Sequence, residues 1–173
     1  MFFLSYNKSM PIFDPNMVEF LSRGPEQTRR LGARLGTLLG RGDVICLEGD
    51  LGAGKTTLVQ GLAQGWGSLD AVSSPTFVLV NVYRRPDGEN LHHLDAYRLR
   101  DAWEAEALDL DQMLDDGALI VEWPKRIRLA LPQNCLWVGL EYVGEEQRRM
   151  TFKPFGAHYE EILTEFRQRS FGG

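Results

Sequence analysis

The chain of 173 residues has a mass of 19.6 kDa and is 43% hydrophobic and 25% charged. A chain of this size and composition can bury a sizeable core, which excludes wholesale disorder and indicates a single domain. The 19 basic and 24 acidic residues give a formal net charge of −5 at pH 7, which argues against a protein that binds nucleic acid alone by neutralising phosphates.

The cysteines and the apolar segments indicate the compartment. Cys46 and Cys135 lie far apart in apolar runs, so we expect two buried, reduced thiols and neither a disulfide framework nor a zinc cluster. No apolar stretch approaches the roughly 18–20 residues that a membrane span needs. No basic region precedes the apolar start of the chain, as a signal peptide would require. We therefore expect a cytoplasmic protein that makes no contact with a membrane.

Two helices and a strand are predicted in the first part of the chain. Leucines recur at helical spacing over 26–39, and Pro25 and Gly40 are suited to the first turn and the stop of a helix. The short apolar run over 43–48 predicts a buried strand. Glycine-rich sequence follows at once, and a second helix is expected over 55–64.

The middle of the chain predicts a hairpin, a helix and a buried strand. Extended patterns over 75–83 and 91–95 flank turn residues over 84–89, which indicates a β-hairpin. Acidic, leucine-bearing sequence over 101–114 predicts a helix. The continuous apolar run over 118–121 is typical of a strand that is covered on both faces in a parallel sheet.

The last part of the chain predicts two strands, over 135–142 and 148–152, and a closing amphipathic helix over 158–168. The mixture of helices and strands indicates an α/β fold, and no composition shift marks a second domain. We expect an N-terminal extension, a main domain and a C-terminal helix or tail, over 1–16, 17–157 and 158–173 respectively.

A glycine-rich motif lies between the predicted strand over 43–48 and the helix that follows. It matches the phosphate-loop pattern Gly-x-x-x-x-Gly-Lys-[Ser/Thr] at every fixed position. Glycines let backbone N–H groups turn inward around an anion, and the helix N-terminus adds free donors and its dipole. Lys55 would reach the β- and γ-phosphates, Thr56 would bind Mg²⁺ and Thr57 would support the α-phosphate. The predicted nucleotide-binding residues are Gly49, Asp50, Leu51, Gly52, Ala53, Gly54, Lys55, Thr56 and Thr57.

Two carboxylates and a hydroxyl extend the predicted site. Asp95 and Glu122 each end an apolar strand downstream of the loop, and ligands of open α/β sheets gather outside the carboxyl ends of parallel strands. Both are expected to serve Mg²⁺ or the attacking water, and Glu122 fits best because its strand looks central and parallel. Thr76, at the entry to the next strand, would sense the γ-phosphate. A proline-stiffened strand entry explains that segment equally well.

Several other residues have simpler interpretations. His92 and His93 are adjacent in a predicted strand and face opposite ways, so they do not predict a shared metal site. His93 is expected to orient Asp95 or to pack. Arg148 is interpreted as a charge that follows an exposed turn, and Trp103 is expected in the core.

Four motifs occur in an order and at a spacing that resemble one family. They are GDLGAGKTT over 49–57, SPTF over 74–77, HLDAYRL over 93–99 and EW over 122–123. With these motifs the chain resembles the TsaE (formerly YjeE) family, the bacterial ATPases of tRNA threonylcarbamoyladenosine synthesis. The resemblance implies a single-domain, three-layer α/β fold of the P-loop NTPase type with a mixed parallel and antiparallel sheet, in which 17–157 is the ATPase domain.

The resemblance also implies a function. ATP and Mg²⁺ would be bound, hydrolysis would be slow alone and stimulated by the partner proteins TsaD and TsaB, and tRNA would be reached only through that complex. Trp123 would lie beside the nucleotide, and adenine contacts are expected near 24–25 and 144–145. By motif, the implied catalytic residues are Lys55, Asp95, Glu122 and Thr76, and the implied metal ligands are Thr56, Glu122 and Asp95.

Two other functions are compatible with a phosphate loop. A small-molecule kinase on a P-loop fold is the main alternative, but it needs an acceptor pocket and usually an arginine-bearing lid, and the sequence has no lid-like insertion. A GTPase-like switch needs an Asn/Thr-Lys-x-Asp element downstream of the loop for guanine selection, and none is present. No internal arginine finger is identified either.

Overall fold

The computed structural model describes residues 14–73 and 78–172. The predicted switch segment over 74–77, with Thr76, lies outside the described residues. The strands are β1 (Val18–Ser22), β2 (Val44–Glu48), β3 (Val80–Arg84), β4 (Asn90–Asp95), β5 (Gly117–Glu122), β6 (Cys135–Tyr142) and β7 (Arg148–Phe155). The helices are α1 (Pro25–Gly36), α2 (Lys55–Trp66), α3 (Ala102–Glu106), α4 (Leu110–Asp116) and α5 (Ala157–Phe171). Two 3-10 segments, Ala96–Arg98 and Pro124–Ala130, follow β4 and β5.

The strands form one mixed sheet in the order β1-β7-β6-β2-β5-β4-β3. The central strands β6, β2, β5 and β4 are parallel to one another. β3 and β7 pair antiparallel with β4 and β6, and β1 pairs antiparallel with β7. The carboxyl ends of the parallel strands therefore meet at one edge of the sheet, and the antiparallel strands β3 and β7 begin at that same edge.

Helices cover both faces of the sheet because the central strands are apolar on both sides. In β2, Ile45 and Leu47 pack in a cluster with residues of α1, α2 and α5. Val44 and Cys46 face the other way and pack with residues of α3, α4 and the second 3-10 segment. The predicted three-layer α/β architecture with a mixed sheet is confirmed, and Cys46 and Cys135 are buried and free, as expected.

Helices α1 and α2 approach each other more closely than side chains would allow. A Cβ atom at Gly61 would lie 2.1 Å from the carbonyl oxygen of Arg29, and one at Gly65 would lie 1.9 Å from that of Ala33. Gly32 of α1 faces the backbone of α2 in the same manner. Glycine is required at this interface, which fixes α2 and the loop that precedes it against α1.

The structure departs from the predicted elements in several places. β1 is a short strand that the sequence does not predict. β3 begins at Val80; of the strand predicted over 75–83, residues 75–77 lie outside the described residues, and 78–79 are not part of the strand. The predicted helix over 101–114 is two short helices, because Asp109 has a φ of 53° and interrupts the helical backbone. Trp103 is 80% exposed, so its predicted place in the core is wrong. None of the helices in the described ranges is long and apolar enough to cross a membrane.

Candidate functional site

The glycine-rich loop joins the end of β2 to the start of α2. Gly52 and Gly54 have φ values of 81° and 101°, in the left-handed region that favours glycine. A Cβ atom at Gly49 would lie 2.7 Å from the carbonyl oxygen of Leu140 in the neighbouring strand β6. The loop thus follows a path that glycine permits at these positions and larger residues do not.

The loop presents several backbone N–H groups that have no backbone partner among the described residues. Over the described residues, no backbone carbonyl accepts a hydrogen bond from the N–H groups of Gly52, Gly54, Lys55 or Thr56. Lys55 and Thr56 lie in the first turn of α2, where N–H groups have no partner within the helix and the helix dipole is positive. Such a set of donors is a nest for an anion.

The ammonium group of Lys55 is buried beside these donors, with the residue only 7% exposed. Its Nζ donates to the carbonyl oxygens of Gly49 and Asp50, the second at 3.1 Å. It also lies 4.7 Å from the centre of the Trp123 ring. Among the described residues the ammonium is therefore solvated by carbonyl dipoles and an aromatic face, with no carboxylate partner. A buried cation in this environment is suited to an anionic ligand.

The two predicted carboxylates lie side by side at the carboxyl edge of the sheet. Asp95 and Glu122 are register partners at the ends of the parallel strands β4 and β5. Asp95 Oδ1 accepts a hydrogen bond from the N–H of Tyr97 at 3.0 Å and so caps the 3-10 segment that follows. Glu122 is buried, at 6% exposure. The structure brings both carboxylates to the edge at which the phosphate loop lies.

His93 connects Glu122 to the hairpin of β3 and β4. Its Nε2 lies 2.9 Å from Oε1 of Glu122, its Nδ1 lies 3.3 Å from the hydroxyl of Tyr83, and the ring is fully buried. Burial raises the pKa of Tyr83, and the negative charge of Glu122 adds to the shift. His93 therefore orients Glu122, and the prediction that it orients Asp95 is wrong.

A cavity of about 430 Å³ lies between the loop and the two carboxylates. The predicted residues Gly49, Asp50 and Ala53 do not line it and shape the loop instead. Trp123 has a φ of 57°, a conformation that is uncommon for a bulky residue, and the turn lays its indole over Lys55. The lining residues are Leu51, Gly52, Gly54, Lys55, Thr56, Thr57, Asp95, Tyr97, Glu122 and Trp123.

A second cavity, of about 260 Å³, adjoins the loop. It shares Gly54 and Thr57 with the first cavity, and Pro25 and Glu145 are among its other lining residues. Pro25 reaches this place because β1 ends at the same edge of the sheet as the central strands. The two segments that the sequence suggests for adenine contacts thus meet beside the loop.

Arg148 is a residue of the site that the sequence does not reveal. It is the first residue of β7, and its guanidinium donates to the carbonyl oxygens of Ala53 at 3.0 Å and Gly52 at 3.4 Å. Arg148 does follow an exposed turn at the start of a strand, as interpreted, but that interpretation misses its contact with the phosphate loop. The antiparallel pairing of β7 with β6 brings it to the loop, and no local sequence pattern carries that information.

The described residues do not form a metal site that is complete in itself. Within 14–73 and 78–172, no group of three His, Cys, Asp or Glu residues could hold a metal ion. His92 and His93 face opposite sides of β4, His92 toward Asp116 and His93 toward Glu122. A divalent cation at this edge would depend on Thr56, the strand-end carboxylates and oxygens of a bound ligand.

The chain is similar in sequence to known proteins over most of its length. Residues 22–150 match the family model described as "Threonylcarbamoyl adenosine biosynthesis protein TsaE". A tRNA threonylcarbamoyladenosine biosynthesis protein TsaE of Bacillus subtilis is 40% identical over 143 residues, which cover 82% of this chain and 88% of that protein. A protein of the same name from a Nostoc species is 38% identical over 155 residues, which cover 85% of this chain and 92% of that protein.

A solved structure shares the fold. The crystal structure of Bacillus subtilis YdiB matches with a TM-score of 0.74 at 31% sequence identity, and the match covers 89% of this chain and 96% of that chain. The range matched by the family model includes the phosphate loop, both strand-end carboxylates and Arg148.

Proposed function

The chain belongs to the TsaE family of threonylcarbamoyl adenosine biosynthesis proteins, and on that premise we propose that it is a Mg²⁺-dependent ATPase. Its hydrolysis of ATP would be slow alone and stimulated by TsaD and TsaB. It would serve the threonylcarbamoyl modification of the tRNA adenosine beside the anticodon. It would reach tRNA only through that complex. One observation carries the proposal: the buried ammonium of Lys55 and the loop N–H groups that have no backbone partner in the described part of the chain belong to residues that line one cavity.

The triphosphate of ATP would supply the negative charge that this cavity lacks. The loop N–H groups would bind phosphate oxygens, and Lys55 would exchange its two carbonyl contacts for oxygens of the β- and γ-phosphates. Thr57, which also lines the cavity, would support the α-phosphate. Phosphoryl transfer needs little covalent chemistry from the protein, so catalysis here would rest on positioning and on stabilisation of charge.

The residues around the cavity suit Mg²⁺, a hard cation that takes oxygen ligands and is usually held by one or two carboxylates together with substrate phosphates. The hydroxyl of Thr56 and the carboxylates of Asp95 and Glu122 would hold it, directly or through water. Mg²⁺ neutralises charge on the β- and γ-oxygens when it is bound. The bond from His93 fixes the direction of Glu122, as outer partners of metal ligands commonly do.

Stimulation by partners agrees with the lining of the cavity. In the described part of the chain no arginine lines it, so these residues supply no arginine finger to the transferring γ-phosphoryl group. We propose that the complex of TsaD and TsaB supplies or orders the missing element. Thr76 would report the γ-phosphate to the partners.

The second cavity is a suitable place for the adenine ring. It adjoins the phosphate loop through Gly54 and Thr57, and the acidic residues Glu145 and Glu146 line it. A carboxylate accepts a hydrogen bond from the 6-amino group of adenine and repels the 6-carbonyl oxygen of guanine. We therefore expect the protein to prefer ATP to GTP.

Calorimetry and ATPase assays on the purified protein test these proposals. We expect binding of ATP with Mg²⁺, weaker binding of GTP, and a hydrolysis rate that rises when TsaD and TsaB are added. Lys55→Ala should lose nucleotide binding and turnover, and Asp95→Ala should lose turnover. Lys153→Ala, which removes an exposed lysine of β7, is the control and should behave like the wild type. Folded protein that takes up no ATP, or equal turnover with and without the partners, would contradict the proposed function.

A further inference from the structure

We propose that Arg148 is a positioning residue that holds the phosphate loop in its anion-binding conformation from outside the cavity that would bind the phosphates. The inference rests on the proposed function and deepens it, because it assigns part of the nucleotide affinity to a side chain that contacts the loop backbone. Arg148 does not line the main cavity between the loop and the carboxylates, so its effect on the phosphates would be indirect.

The guanidinium of Arg148 bridges two loops. Its Nε donates to the carbonyl oxygen of Ala53 at 3.0 Å and its Nη2 to that of Gly52 at 3.4 Å, both in the phosphate loop. Its Nη1 donates to the carbonyl oxygens of Gln147 at 3.1 Å and Gly144 at 3.5 Å, both in the turn between β6 and β7. The planar fork of arginine, with five N–H donors, suits such bridging, whereas the single ammonium of lysine cannot reproduce it.

The guanidinium is itself held in place by the sheet. Arg148 pairs with Tyr142 of β6 on one side and with Ser22 of β1 on the other. The guanidinium carbon lies 4.4 Å from the centre of the Tyr142 ring, a contact that restricts the side chain further. The phosphate loop is therefore tied to a residue that lies between two neighbouring strands of the sheet.

Anchoring carbonyl oxygens fixes the direction of the loop N–H groups. In a trans peptide unit, the carbonyl of one residue and the N–H of the next point in opposite directions. The bond from Arg148 to the carbonyl oxygen of Ala53 therefore turns the N–H of Gly54 away from Arg148, and that N–H is one of the donors without a backbone partner among the described residues. Because Gly54 is conformationally free, this peptide could otherwise rotate and present its oxygen to the phosphates.

The other loop carbonyls have partners of a different kind. Lys55 donates to the carbonyl oxygens of Gly49 and Asp50, and the N–H of Leu58 donates to that of Gly54. The contacts of Lys55 would be released when its ammonium turns to the phosphates, as the proposed function requires. The contacts of Arg148 need not change, so Arg148 would hold the loop both before and after the nucleotide binds.

Titrations of three variants with MgATP test the inference. Arg148→Ala removes every bond to the loop, and Arg148→Lys keeps the charge without the fork. Arg149→Ala is the matched control, because Arg149 is the next residue and its side chain pairs with Glu19 and Glu141 instead of the loop. By calorimetry we expect the Kd to rise about tenfold or more in Arg148→Ala, since two hydrogen bonds to the loop are lost. A smaller rise is expected in Arg148→Lys, and a change within about twofold in Arg149→Ala.

Arg148 also lines the second cavity, the proposed site of the adenine ring. A titration with inorganic tripolyphosphate, which has no adenine ring, therefore distinguishes an effect on the phosphate loop from a contact with adenine. If Arg148 positions the loop, Arg148→Ala weakens the binding of tripolyphosphate and ATP by the same factor. An unchanged affinity for tripolyphosphate would overturn the inference. If circular dichroism shows that Arg148→Ala does not fold, Arg148→Lys carries the test, and wild-type affinity in that variant would overturn it.

The two proposals fail in different ways. A wild-type protein that binds no ATP would contradict the proposed function and the role of Arg148 with it. A wild-type protein that binds ATP, together with a folded Arg148→Ala that binds it equally well, would contradict the role of Arg148 alone.

Discussion

The packing of α1 against α2 predicts that one added methyl group will destabilise the protein. Gly61→Ala, in the middle of α2, would place its Cβ 2.1 Å from the carbonyl oxygen of Arg29 and 3.0 Å from the amide nitrogen of Ala33. Ordinary contact begins at 3.4 Å, so the two helices would have to separate by about 1.3 Å at this point. Both contacted atoms belong to the backbone and cannot rotate away.

Two effects of opposite sign set the size of the change. Alanine is favoured over glycine in a helix interior by about 1 kcal/mol. Overpacking a close-packed interior costs about 1–3 kcal/mol and occasionally more. Because a separation of this size also disturbs the close approaches at Gly32 and Gly65, we expect a cost at the top of that range. The net loss of about 2 kcal/mol would lower the Tm of a domain of this size by about 4–8 °C.

Urea titration followed by circular dichroism, together with scanning calorimetry, measures this loss. Gly139→Ala is the matched control, because a Cβ at Gly139 would meet no atom nearer than 3.9 Å. We expect its free energy of unfolding to stay within about 1 kcal/mol of the wild type. Helix propensity alone predicts that Gly61→Ala is more stable than the wild type, so a variant that is equally or more stable would refute the close-approach argument.

Three further predictions concern the site and the stability of the fold. Glu122→Gln should abolish ATP turnover in a folded protein, because the amide keeps the shape but not the charge of the carboxylate. The control Glu141→Gln, on the exposed end of β6, should hydrolyse ATP at the wild-type rate, and similar rates in the two variants would remove Glu122 from the mechanism. Asp109→Ala should lower the free energy of unfolding, measured in urea, by about 1–2 kcal/mol. Asp109 has a positive φ, and its carboxylate caps α4 by accepting a hydrogen bond from the N–H of Gln112, so unchanged stability would count against this capping role. Burial lowers the pKa of His92 in the folded protein, so the unfolded chain takes up the proton more readily and stability should fall as the pH drops below about 6.5. His92→Gln should lose less stability than the wild type between pH 7 and pH 5, and parallel profiles of unfolding against pH would show that His92 is not responsible.

The core of the site could be predicted because its signals are local. The glycine loop, the strand before it and the helix after it are contiguous in sequence, so the surroundings of Lys55 follow from one segment. The acidic residues Asp95 and Glu122 directly end apolar runs, and the carboxyl ends of parallel strands share one edge. The sequence alone therefore groups Lys55, Asp95 and Glu122 at one site.

The rest of the site depends on strand register, which the sequence does not specify. Arg148 faces the loop because of how β7 pairs with β6, and a slip of one residue would turn its side chain to the opposite face. In the same way, the pairing of β4 with β5 brings His93 to Glu122. The sequence predicts a core position for Trp103 because large aromatic side chains are highly buried on average, and only the packing of α3 shows that this residue is exposed.

Among the described residues, the end of the sheet at which the parallel strands begin contributes nothing to the two cavities beside the phosphate loop. The turn between β3 and β4 lies at that end of the sheet, and its residue Glu89 pairs with Arg41, which precedes β2. The five residues of β2 span about 16 Å, so this turn is a full strand length away from the cavity. We expect that an affinity tag inserted in this turn leaves the proposed affinity for MgATP unchanged, so the turn is a suitable place to attach a reporter.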